Sequence, residues 1–296
     1  LTLEEPCLLA APGGDPNTES SLDYIPGGAL RGALAAAFLR DSDNHANKFD
    51  SLFLNGRVRY LNAYPLLESR ALPTPRAWTK LKDSGETVYN RADTDQFNAA
   101  EEGIPSSLDI PFFTFTDSVT TLKPDIEIAV HTARNREKGR SIEGDADSAL
   151  FRYRALARDQ VFSAAIVIDD GIETAQLEAL LNEKSLLLGG SHTAGYGLTL
   201  VSDVKTPENW REVKGQPQPI PAGGSFIVYL ASHAILYHPG TGQPTADIRH
   251  FLPDGPNCYT IDKSFAAATW VAAYNNHRGL PLPQQRAMQM GRTWII

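Results

Sequence analysis

Three stretches of this sequence carry residues whose types and spacing suit chemistry on a phosphate chain. The first is DYIPGGALRGALAAAF, residues 23–38, where Ile25, Pro26, Gly27 and Gly28 turn an extended segment into a helix with Arg31 in its first turn. Free backbone N–H groups at a helix start carry partial positive charge and suit a phosphate, and an arginine beside them adds a bidentate contact. The competing reading is a tight connection, with Gly27 and Gly28 letting the helix approach a sheet. No Lys-Ser or Lys-Thr follows the glycines, so this is not a nucleotide-binding P-loop. The second stretch, LLLGGSHTAGYGLTLV (186–201), sets Gly189, Gly190, Gly195 and Gly197 between apolar runs. So few side chains let a sugar-phosphate chain come close, His192 adds a polar ring, and Tyr196 offers a face for a base; a plain hairpin loop is the alternative. The third, HTARNREKGR (131–140) with FRYRALAR (151–158), brings together Arg134, Arg136, Lys138, Arg140, Arg152, Arg154 and Arg158, either a patch for a polyanion or a solvated face.

Acid–base candidates are sparser. His131, His192 and His233 have no metal-site spacing, yet a histidine can serve as acid or base in metal-independent RNA cleavage. Asp15 and Asp23 flank the opening loop and could orient or deprotonate a ribose hydroxyl, though turn chemistry also explains loop acids. There is no GxSxG, no HExxH and no Cys-His arrangement.

Composition narrows the classes. With 296 residues, 42% of them hydrophobic, the chain can bury a sizeable core in one large or two ordinary domains. A net charge of −8 excludes a surface that attracts polyanions everywhere, so nucleic acid must be held by local patches. Cys7 and Cys258 are too few for a disulfide framework and fit a reducing, cytoplasmic setting. The best apolar run, FIVYLASHAIL, is interrupted by Ser232 and His233 and is too short for a membrane span. The acidic opening LTLEEP shows no secretory signal, and a first residue Leu1 rather than Met allows for residues upstream.

The positioning elements follow from pattern. Leu30, Leu34 and Phe38 fall four apart, which predicts a helix from Ala29 to about Arg40 packed on a sheet. RVRYLNAYPL begins as a strand; residues 11–21 and 67–107 read as loops, the latter a polar insertion of low order. Ile126, Ile128 and Val130 alternate as in a half-buried strand, and VFSAAIVI (161–168) is apolar enough for a central one. Thr174 is placed to cap a helix bearing Leu177, Leu180 and Leu181, and extended pieces flank the glycine loop. Strand, helix, strand is half of a ferredoxin-like unit. The fold class is therefore α+β, with two related halves, 1–160 (insertion around 67–110) and 161–296. Near the C-terminus SFIVYLASHAILYH reads as a strand, and Pro281 and Pro283 forbid a regular element before RTWII.

Taken in order, YIPGGALRGALA, the basic stretch followed by LFRYRALARDQVFSAAIVI, and LLLGGSHTAGYGLTLV resemble the signature of the RAMP superfamily of CRISPR proteins. LFLNGRVRYLNAYPL and HTAGYG point within it to the RAMP subunit of type III-D effector complexes. The resemblance implies two ferredoxin-like, RNA-recognition-type halves in a subunit that holds CRISPR guide RNA. Its implied partners are target RNA and the backbone, large and small subunits of the complex. It places Ile25 to Arg31 against the guide backbone and the glycine loop, with Gly190, His192, Gly195 and Tyr196, against RNA or between the halves. His131, Arg134, Arg136 and Arg140 complete the expected RNA surface. Backbone subunits of such complexes cut target RNA with an acid in the loop before the corner, here Asp15 or Asp23, and only then is a divalent metal such as Mg2+ implied; otherwise no cofactor is expected. The Ser191-His192-Thr193 tip departs from relatives that carry Lys or Arg there.

Overall fold

Leu30, Leu34 and Phe38 are 1%, 0% and 4% exposed, so the fourfold spacing marks the buried face of the helix that contains them. That helix runs Gly27–Asp41, two residues earlier than the spacing alone predicts. The computed structural model describes residues 1–13, 17–41, 46–82, 87–93, 104–115, 119–132, 150–172, 175–182, 185–207, 210–212, 219–272, 274–275 and 280–296. Asp15, Arg134, Arg136, Arg140 and Thr174 lie outside these residues. The protein is α+β, with few helices and many short strands in sheets of two or three. It forms two units, each built from two stretches of chain: Leu1–Ala71 with Thr114–Glu208, and Leu72–Phe113 with Asn209–Ile296.

In the first unit the corner helix packs against the Ala175–Asn182 helix and the Val58–Tyr60 strand, which pairs antiparallel with Ile166–Ile168. Leu30, Leu34, Phe38, Leu52, Phe53, Val58, Leu177, Leu180 and Leu186 form one apolar cluster, and burying each large side chain contributes about 1.5–3 kcal/mol. A second cluster joins Leu3, Cys7, Leu9, Ile25, Ala63, Leu156, Phe162 and Leu188. It ties the corner, the N-terminal segment and the base of the glycine loop to one core.

Beside it lies a three-stranded sheet whose middle strand, Leu150–Leu156, pairs antiparallel with Ile126–Thr132 and parallel with Thr18–Ser20. The Thr18–Ser20 strand lies inside a stretch that reads as loop, because Asn, Thr and Ser mark turns only where no neighbouring edge offers backbone partners. The alternation in Ile126–Thr132 is real, but Ile128 and Val130 point outward, 53% and 63% exposed, while Ala129 and His131 face inward. Apolar alternation fixes which residues share a face, not which face is buried. VFSAAIVI is not one central strand: Phe162–Ser163 pairs with Tyr64–Pro65, and Ile166–Ile168 with Val58–Tyr60.

The second unit corrects three loop or strand expectations. Within 67–107, Trp78–Leu81 pairs with both Val88–Asn90 and Pro105–Ser107, forming a sheet where a polar insertion or loop of low order is expected. SFIVYLASHAILYH divides into the strands Ile227–Tyr229 and Leu236–Tyr237. Gln285–Met288 pairs with Ala268–Val271, since prolines that precede a strand leave its own N–H groups intact. The expected terminal strand, Thr293–Ile295, lies between Ile227–Tyr229 and Lys263–Phe265, and Trp294 packs with Ile248, Met288 and Ile296.

Candidate nucleic-acid interface

The corner is held by backbone pairing on one side and side-chain capping on the other. Ile25 bridges Ala63 antiparallel, donating its N–H to the Ala63 carbonyl at 3.1 Å and accepting from the Ala63 N–H at 2.8 Å. Its side chain is fully buried, so Ile25 anchors the corner and presents no group outward, contrary to the expected RNA contact. The Pro26 carbonyl accepts from the N–H groups of Ala29 and Leu30 at 2.9 and 3.2 Å, which starts the helix. The Gly27 N–H donates to Asn62 Oδ1 at 3.0 Å, so a residue 35 positions away supplies the cap.

The two corner glycines serve different ends. A Cβ on Gly27 would lie 1.9 Å from the Tyr60 carbonyl oxygen, which makes Gly27 the packing glycine of the competing reading. A Cβ on Gly28 would meet nothing within 4 Å, and the same holds for Gly32 one turn on. Arg31 is exposed beside them, and its charge reaches the Tyr60 hydroxyl: burial pushes the Tyr60 pKa up while Arg31 opposes the rise. Gly28 and Arg31 thus form the open part of the corner.

The glycine loop repeats this division. Gly189 (φ 76°) and Gly197 (φ 96°) sit where a Cβ would lie 2.2 Å from the carbonyl oxygens of Leu8 and Leu188 respectively. Gly190 and Gly195 would meet nothing within 4 Å and are exposed with His192 and Thr193. His192–Ala194 forms a 3-10 turn entered through Ser191 in the left-handed region at φ 58°. The loop is pinned by Gly190 N–H to Leu8 O (3.0 Å) and Gly197 N–H to Pro6 O (2.9 Å). Leu9 in turn accepts from Leu22 N–H at 2.9 Å, so the Pro6–Leu9 segment is the spine joining the loop to the approach of the corner.

Tyr196 is 5% exposed and packs with Leu8, Ala155 and Tyr153, so it is not the open stacking face the sequence suggests. Its hydroxyl meets His131 Nε2 at 3.0 Å, and its ring meets Tyr153 edge-on at 5.5 Å. His131 stacks on Phe151 at 5.3 Å with 17° between the planes, and Ser191 Oγ donates to the Tyr153 hydroxyl at 3.1 Å. This aromatic cluster fixes the glycine loop to the inner face of the paired Ile126–Thr132 and Leu150–Leu156 strands; the sequence singles out His131 and Tyr196 but not their meeting, because the ring contacts need the fold. On the opposite face Arg152 and Arg154 are exposed with Val130 and Ile128 across from them.

Asp23 is half-buried two residues before Ile25 and engaged with the protein. His233 belongs to the other unit, where its Nδ1 accepts from the Met290 N–H at 3.0 Å. Among the described residues no three His, Cys, Asp or Glu side chains are grouped to hold a metal ion, and no helix is long and apolar enough to cross a membrane.

An α+β protein with a glycine corner and a second glycine loop on one spine is the class that these observations define. The chain belongs to the RAMP superfamily, whose family model matches residues 10–201. That match covers the corner and the glycine loop and ends before residues 209–296. No curated protein matches the chain in sequence. Among solved structures it is similar to a chain of a type III-B Cmr-beta complex bound to cognate target RNA and AMPPnP, with TM-score 0.54, 10% identity, and 99% of this chain and 84% of that chain covered. A second, Cmr-beta bound to cognate target RNA, gives TM-score 0.51 and 11% identity over 99% of this chain and 85% of that one. The similarity is one of fold.

Proposed function

We propose that this protein is an RNA-binding subunit of a type III CRISPR effector complex, of the III-D kind, acting in the cytoplasm in antiviral defence. The observation that carries the reading is the open pair Gly28 and Arg31, built at the corner while Gly27 and Ile25 take up the packing. Guide RNA lies along this corner and the exposed tip Gly190, His192 and Gly195, with target RNA and the other subunits meeting neighbouring faces. We read the fold as two ferredoxin-like halves, 1–160 and 161–296. The RNA-bound relatives of the same fold support this, as does an acidic chain that concentrates open glycines and arginine in one place.

The test is purification of the protein with its neighbours and sequencing of the RNA retained. Arg31→Ala is expected to weaken RNA binding about tenfold and to reduce the log–log salt slope by about 1, the signature of one lost phosphate contact. A preparation free of RNA, with binding to added RNA unchanged by Arg31→Ala, overturns the reading. A cleavage role would rest on Asp15 or Asp23 with a divalent metal such as Mg2+, and regularly spaced cuts lost in Asp15→Asn or Asp23→Asn with binding retained are its signature.

A further inference from the structure

We infer that Asn62 is a neutral cap that keeps the start of the corner helix cationic for an incoming phosphate, an inference that rests on the corner being the RNA contact. Asn62 is held for this task at both ends. Its Oδ1 accepts the Gly27 N–H at 3.0 Å, and its Nδ2 donates to the Tyr64 hydroxyl at 3.1 Å. The orientation of the amide follows, because an N–H can meet only its oxygen. Tyr64 is 1% exposed, and the Arg70 guanidinium lies 4.6 Å from its ring centroid. Arg70 also donates to the backbone carbonyl of Asn62 at 2.8 Å and to that of Ser163. Side chain and backbone of the cap are thereby fixed from one buried aromatic and one arginine.

The charge pattern around this cap runs against ordinary helix design. Acidic residues favour a helix N-terminus, where they offset the partial positive charge, and cations there are disfavoured. The Gly27–Asp41 helix has no acidic residue in its first turn, and Arg31 follows directly as its fifth residue. Aspartate caps a helix as well as asparagine does, so a neutral amide at position 62 gains nothing for the helix over a carboxylate. What the amide preserves is the positive field beside Gly28, where no side chain intrudes. A phosphate gains from all three features at once.

Asn62→Asp separates capping from charge, since Asp accepts the Gly27 N–H and the Tyr64 hydroxyl can turn to donate to it. Its thermal midpoint is expected to equal or exceed that of the wild type, while affinity for a fluorescein-labelled U30 RNA falls at least tenfold at low salt. Tyr64→Phe, which frees the amide but keeps the ring, should weaken RNA binding about threefold. If Asn62→Asp folds and binds U30 as the wild type does while Arg31→Ala is impaired, the role of Asn62 is overturned and the corner stands as the contact. If both variants bind normally, the corner itself is not the contact. Should Asn62→Asp fail to fold, wild-type RNA affinity in Tyr64→Phe likewise overturns the proposal.

Discussion

Gly27 is seated so near Tyr60 that a Cβ would come within 1.9 Å of the Tyr60 carbonyl oxygen, whereas its neighbour Gly28 faces open space. Adjacent glycines in one helix turn therefore answer to opposite requirements. Gly27→Ala forces a side-chain carbon into a backbone carbonyl and is expected to cost at least about 2 kcal/mol, read as a drop in the urea midpoint. Gly28→Ala should raise stability by about 0.5–1 kcal/mol, because alanine gives up less backbone entropy on entering a helix. If Gly28 meets RNA, the same variant binds RNA less well despite its stability. Equal destabilisation by both substitutions would refute this division.

The hydrogen bond between His131 and Tyr196 offers a second test. Tyr196→Phe keeps the ring among Leu8, Ala155 and Tyr153 and removes only the hydroxyl that meets His131 Nε2. A loss of about 1 kcal/mol is expected, with larger loss of hydrogen-exchange protection in the glycine loop than elsewhere. An unchanged denaturation midpoint would show that the bond does not hold the loop.

The two cysteines should differ sharply in reactivity. Cys7 is fully buried, which pushes its pKa up to about 12, and its Sγ lies 3.7 Å from the Leu188 carbonyl; Cys258 is exposed. Native protein titrated with an aromatic disulfide reagent at about pH 8 should yield one thiol quickly, and the second only after unfolding. Two fast thiols would contradict the buried cluster around Cys7.

His233 predicts the direction of a pH effect. Burial, and then the nearby Arg76 charge, lower its pKa below the usual 6.5. The unfolded chain therefore takes up this proton at a pH where the native protein does not. Stability from this group is full above the unfolded value and is lost as pH falls through it, down to the lowered folded value. The denaturation midpoint should decline from about pH 8 to about pH 5, and His233→Asn, which keeps an acceptor for the Met290 N–H, should flatten that decline. A His233→Asn profile identical to the wild type would refute the assignment.

Local pattern in the sequence determined the corner helix, the strands on either side of the glycine loop and the order of motifs that marks the family. These depend on spacing along the chain: Leu30, Leu34 and Phe38 share a helix face wherever the helix is placed. Only tertiary structure decided which glycine packs and which stays open, because that depends on the carbonyls of Tyr60, Leu8 and Leu188, brought near from distant positions. The same holds for Asn62, whose spacing from Gly27 carries no helical or strand period, and for Tyr196, whose ring reads as a free platform until His131 and Tyr153 close around it. It holds too for Ile128 and Val130, where period-two alternation is satisfied equally by either face and the sheet turns them outward.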